Sequence, residues 1–146
     1  MTWKYSEKEG DESSKIRWEL VPYFYGRCYD IGCGRWKVFP HFVGLDNGPH
    51  WGVAGADMAI ENAEKLPDIA PHSADLMYSS HLLEHIPYEN VAATLTEWCS
   101  KLKQGGHLIL YLPDVDEYPK VGEFGANPDH KWNVGYANLI SEMEKL

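Results

Sequence analysis

Apolar residues in this chain come in short runs separated by turns rich in glycine and proline. Cys28 to Ile31 predicts a first strand and Phe42 to Leu45 a second. Gly52 to Met58 predicts a third, and Ala74 to Ser79 a fourth. From Tyr88 to Lys103, Val91, Leu95, Trp98 and Leu102 recur at helical spacing with polar residues between them, and Gly105-Gly106 is expected to end that helix. His107 to Leu112 is an apolar run of strand length, as for a strand covered on both faces, and Pro113-Asp114 stops it. A last helix is expected over Tyr136 to Leu146. Near the start, Lys15 to Gly26 reads as a helix interrupted at Pro22, with Trp18, Phe24 and Tyr25 expected in the core beside Trp98. Only Gly32 to His41 separates the first two strands, and Pro40 lies within it. A βαβ crossover takes about 10–12 residues or more, so an irregular turn is expected there. Strands alternating with helices or loops indicate an α/β fold with an open, mainly parallel sheet of about five strands.

Composition narrows the function. The 146 residues suit one domain with a real core, and 44% of them are hydrophobic. Residues Met1 to Ser14 are polar and predict a flexible tail, leaving 15–146 as the domain. Net charge is -9, which disfavours a broad phosphate-binding face and hence nucleic acid as a partner. No apolar run is long enough to span a membrane, and the N-terminus lacks a signal-peptide pattern. Three cysteines do not make a disulfide framework, so a cytoplasmic location is expected.

The chemistry concentrates between Tyr29 and Asn47. Strand one runs into Asp30-Ile31-Gly32-Cys33-Gly34, and strand two delivers a second carboxylate at Asp46. A turn whose backbone meets a ligand has no room for a Cβ and often needs positive φ. Its N–H groups can hold a carboxylate or phosphate, and an acid on the neighbouring strand can accept from a ribose diol. A plain tight turn and a simple cap remain open for the same residues. Further on, His81-Leu82-Leu83-Glu84-His85 matches the H-x-x-E-H pattern of zinc peptidases. Pro87 follows too closely for a long helix and no third ligand is evident, so no metal is assigned and zinc hydrolysis is the least favoured reading.

Taken in order, these segments resemble the class I S-adenosylmethionine-dependent methyltransferases over roughly Tyr29 to Trp132. The glycine turn is similar to that family's first motif and Gly44-Leu45-Asp46-Asn47 to its second. Glu61 to Pro67 resembles the adenine-binding segment, Ala74 to His85 the fourth motif, and Leu102 to Leu110 the passage into strand five. Trp36 stands where a third glycine is usual and Gln104 where proline is usual. The resemblance implies a Rossmann-like fold and S-adenosyl-L-methionine as cofactor, with S-adenosyl-L-homocysteine as product. It implies Gly32, Cys33 and Gly34 around the methionine portion and Asp30 orienting its ammonium. It implies Asp46 on the ribose, Asn47, Asn62 and Ala63 at the adenine, and Ser79 and Ser80 beside the methyl. His81 and His85 would face a small-molecule acceptor; Asp129 and His130 either join them or sit on a surface loop. Residues for the family's last two strands are lacking. Self-association through strand five and the last helix, as a homodimer, is therefore expected. A cofactor-binding module without transfer activity, or one serving a partner protein, is the alternative.

Overall fold

A computed structural model describes residues 15–47 and 56–146. Five parallel strands form one sheet in the order β3-β2-β1-β4-β5. They are β1 (Cys28–Ile31), β2 (Val43–Asp46), β3 (Met58–Ala59), β4 (Ala74–Ser80) and β5 (Leu102–Tyr111). Helix α1 (Tyr88–Lys101) precedes β5, and α2 (Tyr136–Met143) follows it. Strand order reverses between β1 and β4, the place where open α/β sheets leave a crevice beyond the strand ends. Ile31 pairs with both Leu45 and Ser79, so the tips of β1, β2 and β4 end at one level.

Both faces of the sheet are covered, by different means. On one, Tyr29, Ile31, Leu45 and Met77 meet Val91, Leu95 and Trp98 of α1. Trp98 is fully buried and its indole N–H donates to the Ala63 carbonyl at 2.7 Å. On the other, Cys28, Leu76 and Tyr78 meet Leu20, Val38 and Phe42. No helix links β1 to β2. The expected irregular connection instead packs aromatic rings: Phe39 lies 5.0 Å from Phe24 and 5.7 Å from Phe42 between centroids. β5 serves both layers, with Leu108 and Leu110 on the first and Ile109 and Tyr111 on the second.

Several boundaries differ from expectation. Lys15 to Gly26 contains only a single 3-10 turn, Arg17–Leu20, and its Trp18 and Tyr25 are exposed rather than core. The third strand is Met58–Ala59, and Gly52 to Gly55 lie outside the described residues. Helix α1 ends at Lys101 rather than at the glycine pair, because Leu102 is already extended and pairs with Ala74. The next pair is Leu76 with His107, so Lys103 to Gly106 bulge out, with Gly105 at φ +79 making the turn. Helix α2 stops at Met143. No described helix is long and apolar enough to cross a membrane.

Candidate active site

β1 leaves the sheet through Gly32 (φ +73) and Gly34 (φ +58), a region that L side chains avoid. A Cβ on Gly32 would come within 2.8 Å of the Leu82 side chain, whereas one on Gly34 would meet nothing. The turn's amides are all spent on β2. The N–H groups of Gly32 and Cys33 donate to the Leu45 carbonyl at 2.8 and 3.2 Å. That of Gly34 donates to Asp46 Oδ2 at 2.9 Å, while Asp46 Oδ1 accepts from the Asn47 amide at 2.8 Å. These three N–H groups, expected to face a ligand, are instead engaged by the neighbouring strand in this structure.

Asp30 is fully buried behind this turn. Its Oδ2 accepts from the Val38 amide at 2.7 Å, which anchors the connection to β2, and its Oδ1 has no partner. Burial pushes its carboxyl up to about 7; the charge of Asp46 adds to this, while the Val38 amide and Lys37 oppose it. Burial, with the charges of Asp30, Asp46 and Asp57, also drives the Cys33 thiol far above its ordinary range, so it stays neutral.

A cleft of about 240 Å³ opens beyond the strand tips. Gly32, Asp46 and Asn47 form one wall, and Leu82, His85 and Ile86 form the opposite one. Ile60, Glu61, Asn62, Ala63 and Glu64 close its end. A second cavity, about 260 Å³, shares Ile60, Glu61 and Asn62 with it and continues past Lys65 to Ile69. Among the described residues, the first cleft is lined by three carboxylates and by no lysine or arginine. Asn62 Oδ1 accepts from the amides of Glu64 and Lys65 at 2.9 and 3.1 Å. That Asx turn leaves the side-chain NH₂ as the group available to donate.

Beyond β4 the chain turns sharply. His81 has φ +48, and its amide donates to the Tyr111 carbonyl at 2.8 Å. Its ring packs against Tyr111 and Tyr118. Leu83–His85 is one 3-10 turn, so His81 and His85 do not share a helix face as the zinc-peptidase pattern requires. Between them Glu84 is fully buried. The long loop after β5 folds back onto this turn: the Lys131 amide donates to the Glu84 carbonyl at 2.8 Å, and the Trp132 indole to the Leu83 carbonyl at 3.1 Å. This brings the His130 ring to 4.9 Å from that of His85. Burial lowers the His130 pKa, Glu84 opposes that shift, and the neighbouring imidazoles reinforce it. Asp129 stays exposed.

The cleft thus unites Gly32, Asp46, Asn47, Asn62, Ala63 and His85 among the residues singled out in the sequence. Asp30, Cys33, Gly34, Ser79, Ser80 and His81 do not line it. Ser79 is fully buried, and its hydroxyl donates to the Ile31 carbonyl at 3.0 Å, tying β4 to β1. Glu61, Glu64, Leu82 and Ile86 were not assigned roles. Glu61 and Glu64 flank Asn62-Ala63, and that acidic spacing was the available signal.

A family described as "Methyltransferase domain" matches residues 29–110. The chain belongs to this family. No curated protein matches it in sequence. The methyltransferase domain is similar in fold to an S-adenosylmethionine-dependent methyltransferase from Archaeoglobus fulgidus. That pair shares 23% identity at a TM-score of 0.70, covering 91% of this chain and 67% of the other. A Mesorhizobium loti enzyme of the same description shares 19% identity at a TM-score of 0.66, covering 94% and 81%. The five-stranded sheet is therefore the Rossmann-like sheet of class I methyltransferases.

Two predictions follow from the turn. Gly34→Ala carries only the penalty of a positive φ, about 1–2 kcal/mol. Gly32→Ala adds a collision with Leu82 and loses more stability, read as a lower urea midpoint; equal losses would show that the Leu82 contact is soft. Asp30 gives a pH signature. Its native pKa lies above the ordinary 3.8, so across roughly pH 4 to 7 the native state keeps a proton that the unfolded chain releases. Its contribution to stability therefore falls as pH rises through that window. In Asp30→Asn this part of the slope disappears, as urea midpoints at several pH values would reveal; a slope matching the parent's would mean Asp30 titrates normally.

Proposed function

We propose that this domain transfers a methyl group from S-adenosylmethionine to a small-molecule acceptor. One observation carries the reading: the cleft at the switch point is acidic, holds no lysine or arginine among its described lining residues, and has its glycine-turn amides already satisfied. A dinucleotide's phosphates would meet repulsion there, whereas a ligand with a sulfonium and an ammonium meets complementary charge. Bound in the cleft, the cofactor supplies its own leaving group, since loss of the methyl turns a cationic sulfonium into a neutral thioether.

The protein's task is then mainly positioning. Each Asp46 oxygen accepts one amide bond in the structure, and a carboxylate oxygen has capacity for a second. Asp46 thus keeps acceptor capacity for two ribose hydroxyls while its orientation is fixed from behind. Asn47 and the NH₂ of Asn62 edge the adenine, with Ala63 beside them. The carbonyls of Gly32 to Gly34, rather than their amides, face the methionine portion, and Asp30 acts on its ammonium only through the turn. His85, on the opposite wall, stands on the acceptor side together with His81. Ser79 and Ser80 support the β4 tip. The reading also includes self-association, because β5 forms one edge of the sheet.

Calorimetry with S-adenosylmethionine and S-adenosylhomocysteine tests the binding half, and product formation over a panel of acceptors tests transfer. Asp46→Ala is expected to weaken the cofactor by about 1.5–3 kcal/mol, the worth of hydrogen bonds to a charged group. Unchanged affinity would remove Asp46 from the ribose. Light scattering at micromolar concentration should give the mass of a dimer; a monomer mass would end that part of the reading.

A further inference from the structure

Glu84 is a buried carboxylate that the methyl-transfer reading does not use. It is wholly inaccessible to solvent, and neither oxygen accepts a hydrogen bond. An unpaired charge in such a place is strongly unfavourable. The groups facing it are imidazoles. His81 Nδ1 stands 3.4 Å from Oε1, and His130 Nε2 stands 3.8 Å from the same atom. A protonated imidazole bound to this carboxylate would close to about 2.7–2.9 Å, and neither ring does so. One ligand atom each from Glu84, His85 and His130 lies within 4.8 Å of the others. Ligands about 2.0–2.2 Å from a shared ion stand roughly 3–3.5 Å apart, so the three reach that geometry by small side-chain rotations.

Two of these residues lie in the turn after β4 and the third in the loop after β5. The loop's placement does not depend on the side chains in question: the Lys131 amide and the Trp132 indole fix it to the carbonyls of Glu84 and Leu83. His85 also lines the cleft, so the cluster sits in the wall opposite Asp46.

We propose that Glu84, His85 and His130 hold a divalent first-row transition cation whose open positions take an oxygen of the methyl acceptor. Two imidazoles and one carboxylate suit such ions and leave coordination sites free, whereas calcium and magnesium prefer all-oxygen shells. The ion's charge adds to the two imidazole contacts, at 3.4 and 3.8 Å, neither of which is a hydrogen bond. Resting on the methyl-transfer reading, the site points to acceptors with a hydroxyl, which coordination makes more acidic. The hydroxyl proton passes to solvent, the oxygen forms its bond to the methyl carbon, and the C–S electron pair leaves with sulfur. The products are a methyl ether and a neutral thioether.

The test uses the whole chain, stripped with a chelator and titrated with Co²⁺. Bound cobalt is counted by elemental analysis and followed by visible absorption. One cobalt per chain is expected, with affinity lowered tenfold or more in His130→Asn and Glu84→Gln. Because Glu84→Gln could unfold the protein, the unmodified chain is also titrated with Zn²⁺ while its imidazole NMR signals are recorded. Two histidine spin systems should move to saturation at one equivalent; in His130→Asn one of them is lost and the other, from His85, should stay still. Substoichiometric cobalt, or uptake unaffected by His130→Asn, overturns the site and leaves Glu84 in a histidine–carboxylate network. Binding of S-adenosylhomocysteine, measured on the same samples, separates the two proposals. Cofactor bound without cobalt removes the metal alone; cobalt bound without cofactor removes the methyl-transfer reading and leaves the metal.

Discussion

The site depends on how the tip of β1 is fastened to the tip of β2. The Leu45 carbonyl takes two amides from the glycine turn, and the Asp46 carboxylate takes a third while its other oxygen is held by Asn47. These bonds satisfy groups that would otherwise be stranded at a strand end, and they also fix Asp46 in one orientation toward the cleft. The same bonds set which polar groups remain at the turn. A glycine turn with free amides attracts anions; one whose amides are consumed presents carbonyls and an aspartate.

The second constraint is the missing crossover helix. A parallel pair normally returns through a helix that covers the sheet, and here Gly32 to Phe42 must do both jobs. Phe39 and Phe42 supply the apolar cover, joined by Phe24 from the N-terminal segment. Asp30 holds the connection from inside through the Val38 amide. Its raised pKa follows from that placement, since a carboxylate that braces a buried loop has little water around it. The burial that makes Asp30 useful as a brace also keeps it from touching a ligand directly.

Strands one, two, four and five were readable because their apolar runs had strand length and clear punctuation, whereas the third was expected over Gly52 to Met58 and is Met58–Ala59. The glycine turn and Asp46 pointed to the crevice from the residues themselves, and the segment around Asn62 entered through the resemblance to methyltransferases. What failed to show was anything decided by partners far along the chain. Nothing local indicates that the amides of Gly32 and Cys33 turn toward Leu45, or that Ser79 faces Ile31 instead of a ligand. Trp18 and Tyr25 look like core residues by type, yet they lie outside because Phe24 and Phe39 already fill that layer. The glycine pair at 105–106 looks like a helix stop; the helix ends earlier because Leu102 is captured by the edge of β4 and the glycines serve a bulge. His81 and His85 match a pattern that belongs to a continuous helix, and the positive φ of His81 breaks it.

Methyl transfer asks little of the protein at the sulfur and much at the acceptor, because the leaving group arrives with the cofactor. On the proposed reading, discrimination falls to the cleft wall away from Asp46. That wall is the turn after β4, braced by a long loop through the Lys131 amide and the Trp132 indole. Loops on a rigid scaffold are where specificity varies at least structural cost. Here the loop is more than cover, since the contacts that hold it also carry His130 to Glu84. A change at Trp132 would loosen the placement of His130 beside Glu84 without touching Asp46. The two sides of the cleft come from separate parts of the chain and meet where Leu82 packs against Gly32.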